Sequence, residues 1–129
     1  MGLFSKKEVG NLGEETAAKF LKKSKYKILC KNYKTKFGEI DIICENAEYI
    51  VFVEVKTRKQ GTAIPGYTAV NYKKQQHIFR TASMYLVENK PEKQPRFDII
   101  EVEHCNDGTA CVKEHFENAF WQRGDYGVF

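Results

Sequence analysis

Between Ser5 and Ser24 the apolar residues Leu12, Ala17, Phe20 and Leu21 recur at helical spacing, and from Tyr26 the pattern changes to short β-rich runs. Ser5-Lys-Lys-Glu8 and Asn11-Leu-Gly-Glu14 both carry capping-box spacing, which predicts a first helix whose start is open between the two. Tyr26–Tyr33, Glu39–Cys44 and Tyr49–Lys56 read as three strands of an antiparallel meander, parted by Gly38 and by the polar turn Glu45-Asn-Ala-Glu48. The stretch 58–67, with Gly61, Pro65 and Gly66, reads as a loop. Val70, Lys74, Ile78, Ala82, Tyr85 and Leu86 then predict a second helix over Thr68–Asn89, followed by strands at Arg96–Glu103 and Ala110–Phe116. This α-β-β-β-α-β order with an added strand predicts an α/β (α+β) fold, a mixed sheet flanked by helices. One domain is placed at 1–120, and the aromatics of the tail, placed at 121–129, either close the core or dock on a partner.

The third strand breaks its own pattern. An apolar run, Ile50-Val-Phe-Val53, ends in Glu54-Val-Lys56, and period two puts Glu54 and Lys56 on one face with Ile50 and Phe52, Cα atoms about 6.6 Å apart. On the second strand the same parity groups Glu39, Asp41 and Ile43 against Ile40 and Ile42. If the two strands pair through the short turn, Asp41 and Glu54 come within reach of one ion, but a slip of one residue turns Asp41 away. Carboxylates gathered inside a protein repel and lose hydration, so they call for a cation. Mg²⁺ or Mn²⁺ suits oxygen ligands of this kind, with Asp41 and Glu54 as the metal ligands. The chemistry that follows is phosphodiester hydrolysis, with Lys56 orienting or deprotonating water and Glu14 a further carboxylate. Plainer readings stand beside each: a strand-end ion pair for Glu54 and Lys56, a surface acid at a turn for Asp41, and a helix cap for Glu14. Glu-x-Lys also occurs at Glu88-Asn-Lys90, where it reads as a charged helix end.

Composition changes this picture mainly through charge. The 129 residues carry 21 Lys+Arg and 17 Asp+Glu, a net charge of +4. The distribution is uneven, with +9 over residues 1–96 and −5 over 97–129. Two stretches contain no acid: Lys19–Lys36, with eight lysines including Lys22 and Lys23, and Val55–Val87, with Lys56, Arg58, Lys59, Lys73, Lys74 and Arg80. Such regions attract polyanions, or simply form a solvated face that keeps the chain in solution. Lysine outnumbers arginine, which favours positioning on phosphates over reading of bases. No apolar run approaches the ~20 residues of a membrane span, and the first residues lack a secretory signal, so a cytoplasmic protein is expected. The cysteines Cys30, Cys44, Cys105 and Cys111 form no Cys-x-x-Cys pair, and their spacings point to no shared site.

Several segments carry a joint signal: Gly10-Asn-Leu-Gly-Glu-Glu-Thr-Ala-Ala18 with Phe20-Leu21, Asn32, Gly38-Glu-Ile-Asp-Ile-Ile43, Val51-Phe-Val-Glu-Val-Lys-Thr-Arg58, Lys74-Gln75, Ala82, Tyr85-Leu86, Arg96-Phe-Asp-Ile-Ile100 and Asn118-Ala-Phe120. Together they resemble the small bacterial YraN-like proteins, an uncharacterised family that looks related to the archaeal Holliday-junction resolvases of the PD-(D/E)XK, or restriction-endonuclease-like, superfamily. The resemblance spans residues 10 to about 120. It implies a restriction-endonuclease-like αβββαβ core, a metal held by Asp41 and Glu54, a catalytic lysine at Lys56 and a helix carboxylate at Glu14. It also places Gln75 in a Gln-x-x-x-Tyr helix motif facing the site, although Phe79 stands where the tyrosine would be. Ile40-Asp41 replaces the superfamily's Pro-Asp. Arg96 and Asp98 match the family motif and read as a structural pair anchoring the fourth strand.

The expectation is a Mg²⁺- or Mn²⁺-dependent endodeoxyribonuclease, acting on branched or damaged DNA by structure rather than sequence. Its candidate catalytic residues are Glu14, Asp41, Glu54, Lys56 and Gln75, and its candidate nucleic-acid contacts Lys22, Lys23, Arg58, Lys59, Lys73 and Lys74. A homodimer suits the cutting of two strands. The alternative is a non-catalytic nucleic-acid-binding or scaffold protein that keeps the nuclease fold.

Overall fold

The computed structural model describes residues 5–62 and 70–121. The elements run α1 (Lys6–Lys23), β1 (Lys27–Thr35), β2 (Gly38–Glu45), β3 (Tyr49–Lys59), α2 (Tyr72–Asn89), β4 (Gln94–His104) and β5 (Ala110–Phe120). The strands lie side by side in chain order in one sheet. The β1–β2, β2–β3 and β4–β5 pairs are antiparallel, and β3–β4 is parallel. A parallel pair cannot be joined by a tight turn, so the chain between β3 and β4 must cross a sheet face, and α2 lies in that connection. This is the α+β fold with a mixed sheet that the pattern predicts, consistent with a restriction-endonuclease-like core.

Each helix covers one face. On one side Ala17, Ala18 and Leu21 of α1 are buried with Ile42, Cys44, Val51, Val53, Ile100 and Val102. On the other, Ile78, Phe79 and Ala82 of α2 are buried with Ile40, Ile43, Phe52, Phe97 and Ile99. Because β3 is covered on both faces, it reads as an unbroken apolar run rather than an alternating one. Ser5, not Asn11, caps α1: its side chain accepts from the Glu8 backbone N–H, and the Glu8 carboxylate accepts from the Ser5 N–H. Glu14 therefore lies inside the helix and has no capping task there.

Several boundaries shift. Arg58 and Lys59 extend β3 rather than open a loop, because their backbone continues the parallel ladder opposite Glu103 and His104. The second helix begins at Tyr72, capped by Asn71, whose side chain accepts from the Lys74 N–H. Residues 117–120 extend β5 beyond its predicted end at Phe116, and Phe120 is buried against Phe79 and Phe97. Trp121 follows, 56% exposed, and the rest of the tail, like positions 63–67 of the 58–67 loop, lies outside the described residues. Among the described residues no helix is long and apolar enough to cross a membrane.

Arg96 and Asp98 anchor the α1 face. The Arg96 guanidinium meets the two carboxylate oxygens of Asp98 at 2.9 and 2.8 Å and donates to Tyr26 Oη. Asp98 also accepts from the Asn118 N–H and contacts His115 Nε2 at 2.7 Å. Burial by itself would raise the Asp98 pKa, but the hydrogen bonds from His115, Arg96 and Asn118 outweigh it and hold the carboxyl below its ordinary range. The pair joins the start of β1, β4 and β5.

Candidate functional site

The site forms where β2 parts from β3. Their pairing runs from Glu45↔Ile50 to Ile42↔Val53, a register that, continued by one residue, sets Asp41 opposite Glu54. There a side chain takes over from the backbone, as Asp41 Oδ2 accepts the Val55 N–H at 2.8 Å. The strict parity expected for β2 fails at the same point. Ile40 and Ile42 fall into the clusters on opposite faces, because the strand turns as it leaves its neighbour.

Glu54 is only 5% exposed and receives two ammonium groups on one oxygen. Lys74 Nζ lies 2.6 Å and Lys56 Nζ 3.3 Å from Oε2. Lys56 arrives from the same strand, two residues on. Lys74 comes from the first turn of α2, held there by the Asn71 cap. Its pairing with Glu54 was not legible in the sequence, which marked Lys74 as a helix position, a matching residue of the resemblance and a candidate nucleic-acid contact. Glu88, the acid of the second Glu-x-Lys, instead accepts from Tyr33 Oη at the far end of α2.

Glu14 joins from the opposite helix. Gly13 is buried against β3, and a Cβ there would run into Thr57 Oγ1, so only glycine lets α1 lie this close to the strand. The next residue, Glu14, is hydrogen-bonded by the Asn32 side chain and feels the charges of Glu39 and Glu54. Asn32 is a β1 residue at φ 53°, in the left-handed region. Sequence reading quoted it within the resemblance without giving it a task.

The electrostatics follow from crowding. Burial, then the Glu54 and Glu14 charges, push Asp41 up to about 8 despite the Val55 hydrogen bond and the Lys74 charge. Burial, with help from Glu39 and Glu54, raises Glu14 against the Asn32 hydrogen bond. Burial and the neighbouring Lys74 lower Lys56, with Glu54 opposing. For Lys74 burial also acts downward, but its ion pair with Glu54 wins and the net direction is up. An acid driven up and a lysine driven down, both beside Glu54 where two inner strands part, is the pattern of groups poised to exchange protons or to take a cation.

The remaining candidates divide. Arg58 lies two residues beyond Lys56 on β3 with its Nε buried and without a hydrogen-bond partner. Lys73 and Lys59 are exposed at the start of α2 and the end of β3. A cavity of about 300 Å³ between β2 and α2 is lined by Gly38, Glu39, Asn71, Lys73, Lys74 and His77. Lys22 and Lys23 are not brought to this place: they occupy the last turn of α1, about 12 Å along the helix from Glu14, where they complement the helix dipole. The Gln75 amide donates to the Val70 carbonyl at 3.1 Å, which ties the chain entering α2. Phe79, in place of the motif's tyrosine, is a core residue stacked edge-on against Phe97.

Two of the cysteines, whose spacing suggested no shared site, come close together at the β4–β5 hairpin, where Cys105 and Cys111 lie beside Glu103. A six-residue separation hides this, because the turn folds the two strands back on each other.

Comparison with known proteins places this sequence in a family. The sequence profile of the uncharacterised protein family UPF0102 matches residues 13–102, which include Glu14, Asp41, Glu54, Lys56 and Lys74. A UPF0102 protein of Caldanaerobacter subterraneus is 50% identical over 119 residues, 90% of this chain and 97% of its own. One of Alkaliphilus oremlandii is 44% identical over 117 residues, 88% and 98% of the two chains, and one of Clostridium acetobutylicum is 44% identical over 117 residues, 88% and 94%.

Proposed function

The chain belongs to the uncharacterised protein family UPF0102, and we propose that it is a divalent-metal-dependent DNA endonuclease whose site is Asp41, Glu54 and Lys56, with Glu14 and Lys74 beside them. One observation carries the reading: Asp41, up at about 8, crowds against Glu54 and Glu14 on a sheet otherwise buried under two helices. A fold gains nothing in stability from that crowding, and a cation relieves it.

The donor set fits a hard cation, since Asp41 and Glu54 offer carboxylate oxygens only, the ligands Mg²⁺ and Mn²⁺ prefer. When bound, such a metal polarises a phosphoryl oxygen and lowers the pKa of its water. The chain's own groups supply the rest. Lys56, with its pKa lowered, is placed to orient water or hold its proton beside Glu54. Lys74 carries positive charge to where a phosphodiester gathers negative charge in the transition state. Arg58, with its unpartnered Nε, needs an acceptor, and a neighbouring phosphate would provide one. DNA is the substrate proposed, recognised by its backbone and shape, since the basic residues around the site are mostly lysines.

The test is a panel of duplex, single-stranded, flap and four-way DNA with Mg²⁺ and with Mn²⁺. Wild-type protein should cut at least one member, and Asp41→Asn should abolish cutting while binding persists. Equal cutting by the variant would mean a contaminant and end the proposal. A second reading, a binding or scaffold protein on the nuclease fold, draws on the two lysines that already neutralise Glu54. It predicts no saturable Mg²⁺ or Mn²⁺ uptake that Glu54→Gln removes in calorimetry.

A further inference from the structure

We propose that Glu103, Cys105 and Cys111 form a second metal site, for a thiophilic divalent cation such as Zn²⁺, at the β4–β5 hairpin. The ligand atoms of the three side chains already lie within 4.8 Å of one another. In a tetrahedral zinc site with Zn–S near 2.3 Å, neighbouring ligand atoms stand about 3.8 Å apart, so closing the set takes about 1 Å of side-chain rotation. Two thiolates and one carboxylate leave a fourth position for water, and sulfur ligands select zinc over magnesium.

The backbone holds the three in place. Glu103 and Cys111 are directly opposed in the β4–β5 register. Cys105 opens the turn, its N–H bonded to the Thr109 carbonyl and its carbonyl accepting from Gly108, which sits at φ 90°. Asp107 braces the turn by accepting from both the N–H and the hydroxyl of Thr109. Gln60, just past the end of β3, donates its N–H to the His104 carbonyl and accepts the Asn106 N–H on its side chain. The hairpin is thus tied to β3 as well, and little ordering remains for the metal to impose. Both cysteines are free thiols, and Cys111 is exposed, so an ion has a route in. A disulfide would use the two sulfurs and leave Glu103 without a part; the third donor is what favours a metal.

This site is independent of the nuclease reading, since its donors are sulfur-rich and Asp41 and Glu54 offer oxygen alone. The experiment is a Co²⁺ titration of fully reduced, full-length protein, followed by competition with Zn²⁺. Wild type and Asp41→Asn should both show a thiolate-to-cobalt charge-transfer band saturating at one ion per chain and displaced by Zn²⁺. Cys111→Ser, an exposed change that spares the core, should lose the band. Glu103→Gln should keep it with affinity weakened about tenfold or more, at least what loss of an outer-shell partner costs. No band in the reduced wild type, or a band that survives in the Cys105→Ser, Cys111→Ser double variant, would overturn the proposal. A Cys105–Cys111 disulfide forming with no Co²⁺ or Zn²⁺ bound by the reduced protein would overturn it in favour of a redox pair.

Discussion

Asp41→Asn should stabilise the metal-free protein in alkaline buffer, and by an amount that depends on pH in a known direction. Asp41 titrates at about 8 in the folded chain and at its ordinary 3.8 when unfolded. Between those values the folded state holds a proton the unfolded state has given up, so the group's stabilising contribution is complete below pH 3.8 and is lost as pH rises to about 8. At about 1.4 kcal/mol per pH unit the gap sets a ceiling of about 6 kcal/mol, which relaxation around the half-buried pocket reduces to a few. Asparagine keeps an oxygen for the Val55 N–H and cannot ionise, so it escapes the penalty. Urea denaturation with a chelator at pH 5, 7 and 9 measures the effect. The variant should lose less stability than wild type from pH 5 to 9, and at pH 9 be the more stable by about 2 kcal/mol or more. Equal pH slopes for the two proteins would show that Asp41 carries no such penalty and would remove the electrostatic argument for a cation at this place.

Gly13→Ala sets a methyl against Thr57 Oγ1 and should cost about 1–3 kcal/mol in thermal or urea melts, with part of the loss recovered in the Gly13→Ala, Thr57→Ala pair. Asp98→Asn leaves the Arg96 charge buried with a weakened partner and should cost about 3–5 kcal/mol by the same melts. Because the Asp98 pKa is held down, wild type should also lose stability as pH falls through and below 3.8, a loss the variant does not show. Arg58→Gln should leave stability within about 0.5 kcal/mol, weaken DNA binding and lower the salt slope of the binding constant by about 1; unchanged binding would take Arg58 out of the interface.

The apolar run Ile50–Val53 announced a buried strand, and Glu54 and Lys56 stood out because such a strand seldom ends in charge. The Asp41 opposition to Glu54 was legible only conditionally, since a one-residue slip in register reverses every side chain. Glu14 was read as a carboxylate near the start of α1, but with Ser5 as the cap the helix begins at Lys6, which sets Glu14 in mid-helix and dismisses its competing task as a cap. Lys74, eighteen residues beyond Lys56, had no local signal linking it to Glu54.

Local chemistry therefore determined the elements: helical spacing, capping residues, β-branched runs and turn residues act within a few positions, and they are written along the chain. Which charged groups meet was decided by the tertiary structure. A crossover helix carries Lys74 over β3, a glycine lets α1 deliver Glu14, a diverging strand turns Asp41 toward the Val55 N–H, and a hairpin turn brings Cys105 to Cys111 and Glu103. Electrostatic and metal-ligand contacts depend on distances of a few ångströms, and those are set by strand register and helix docking rather than by separation in sequence.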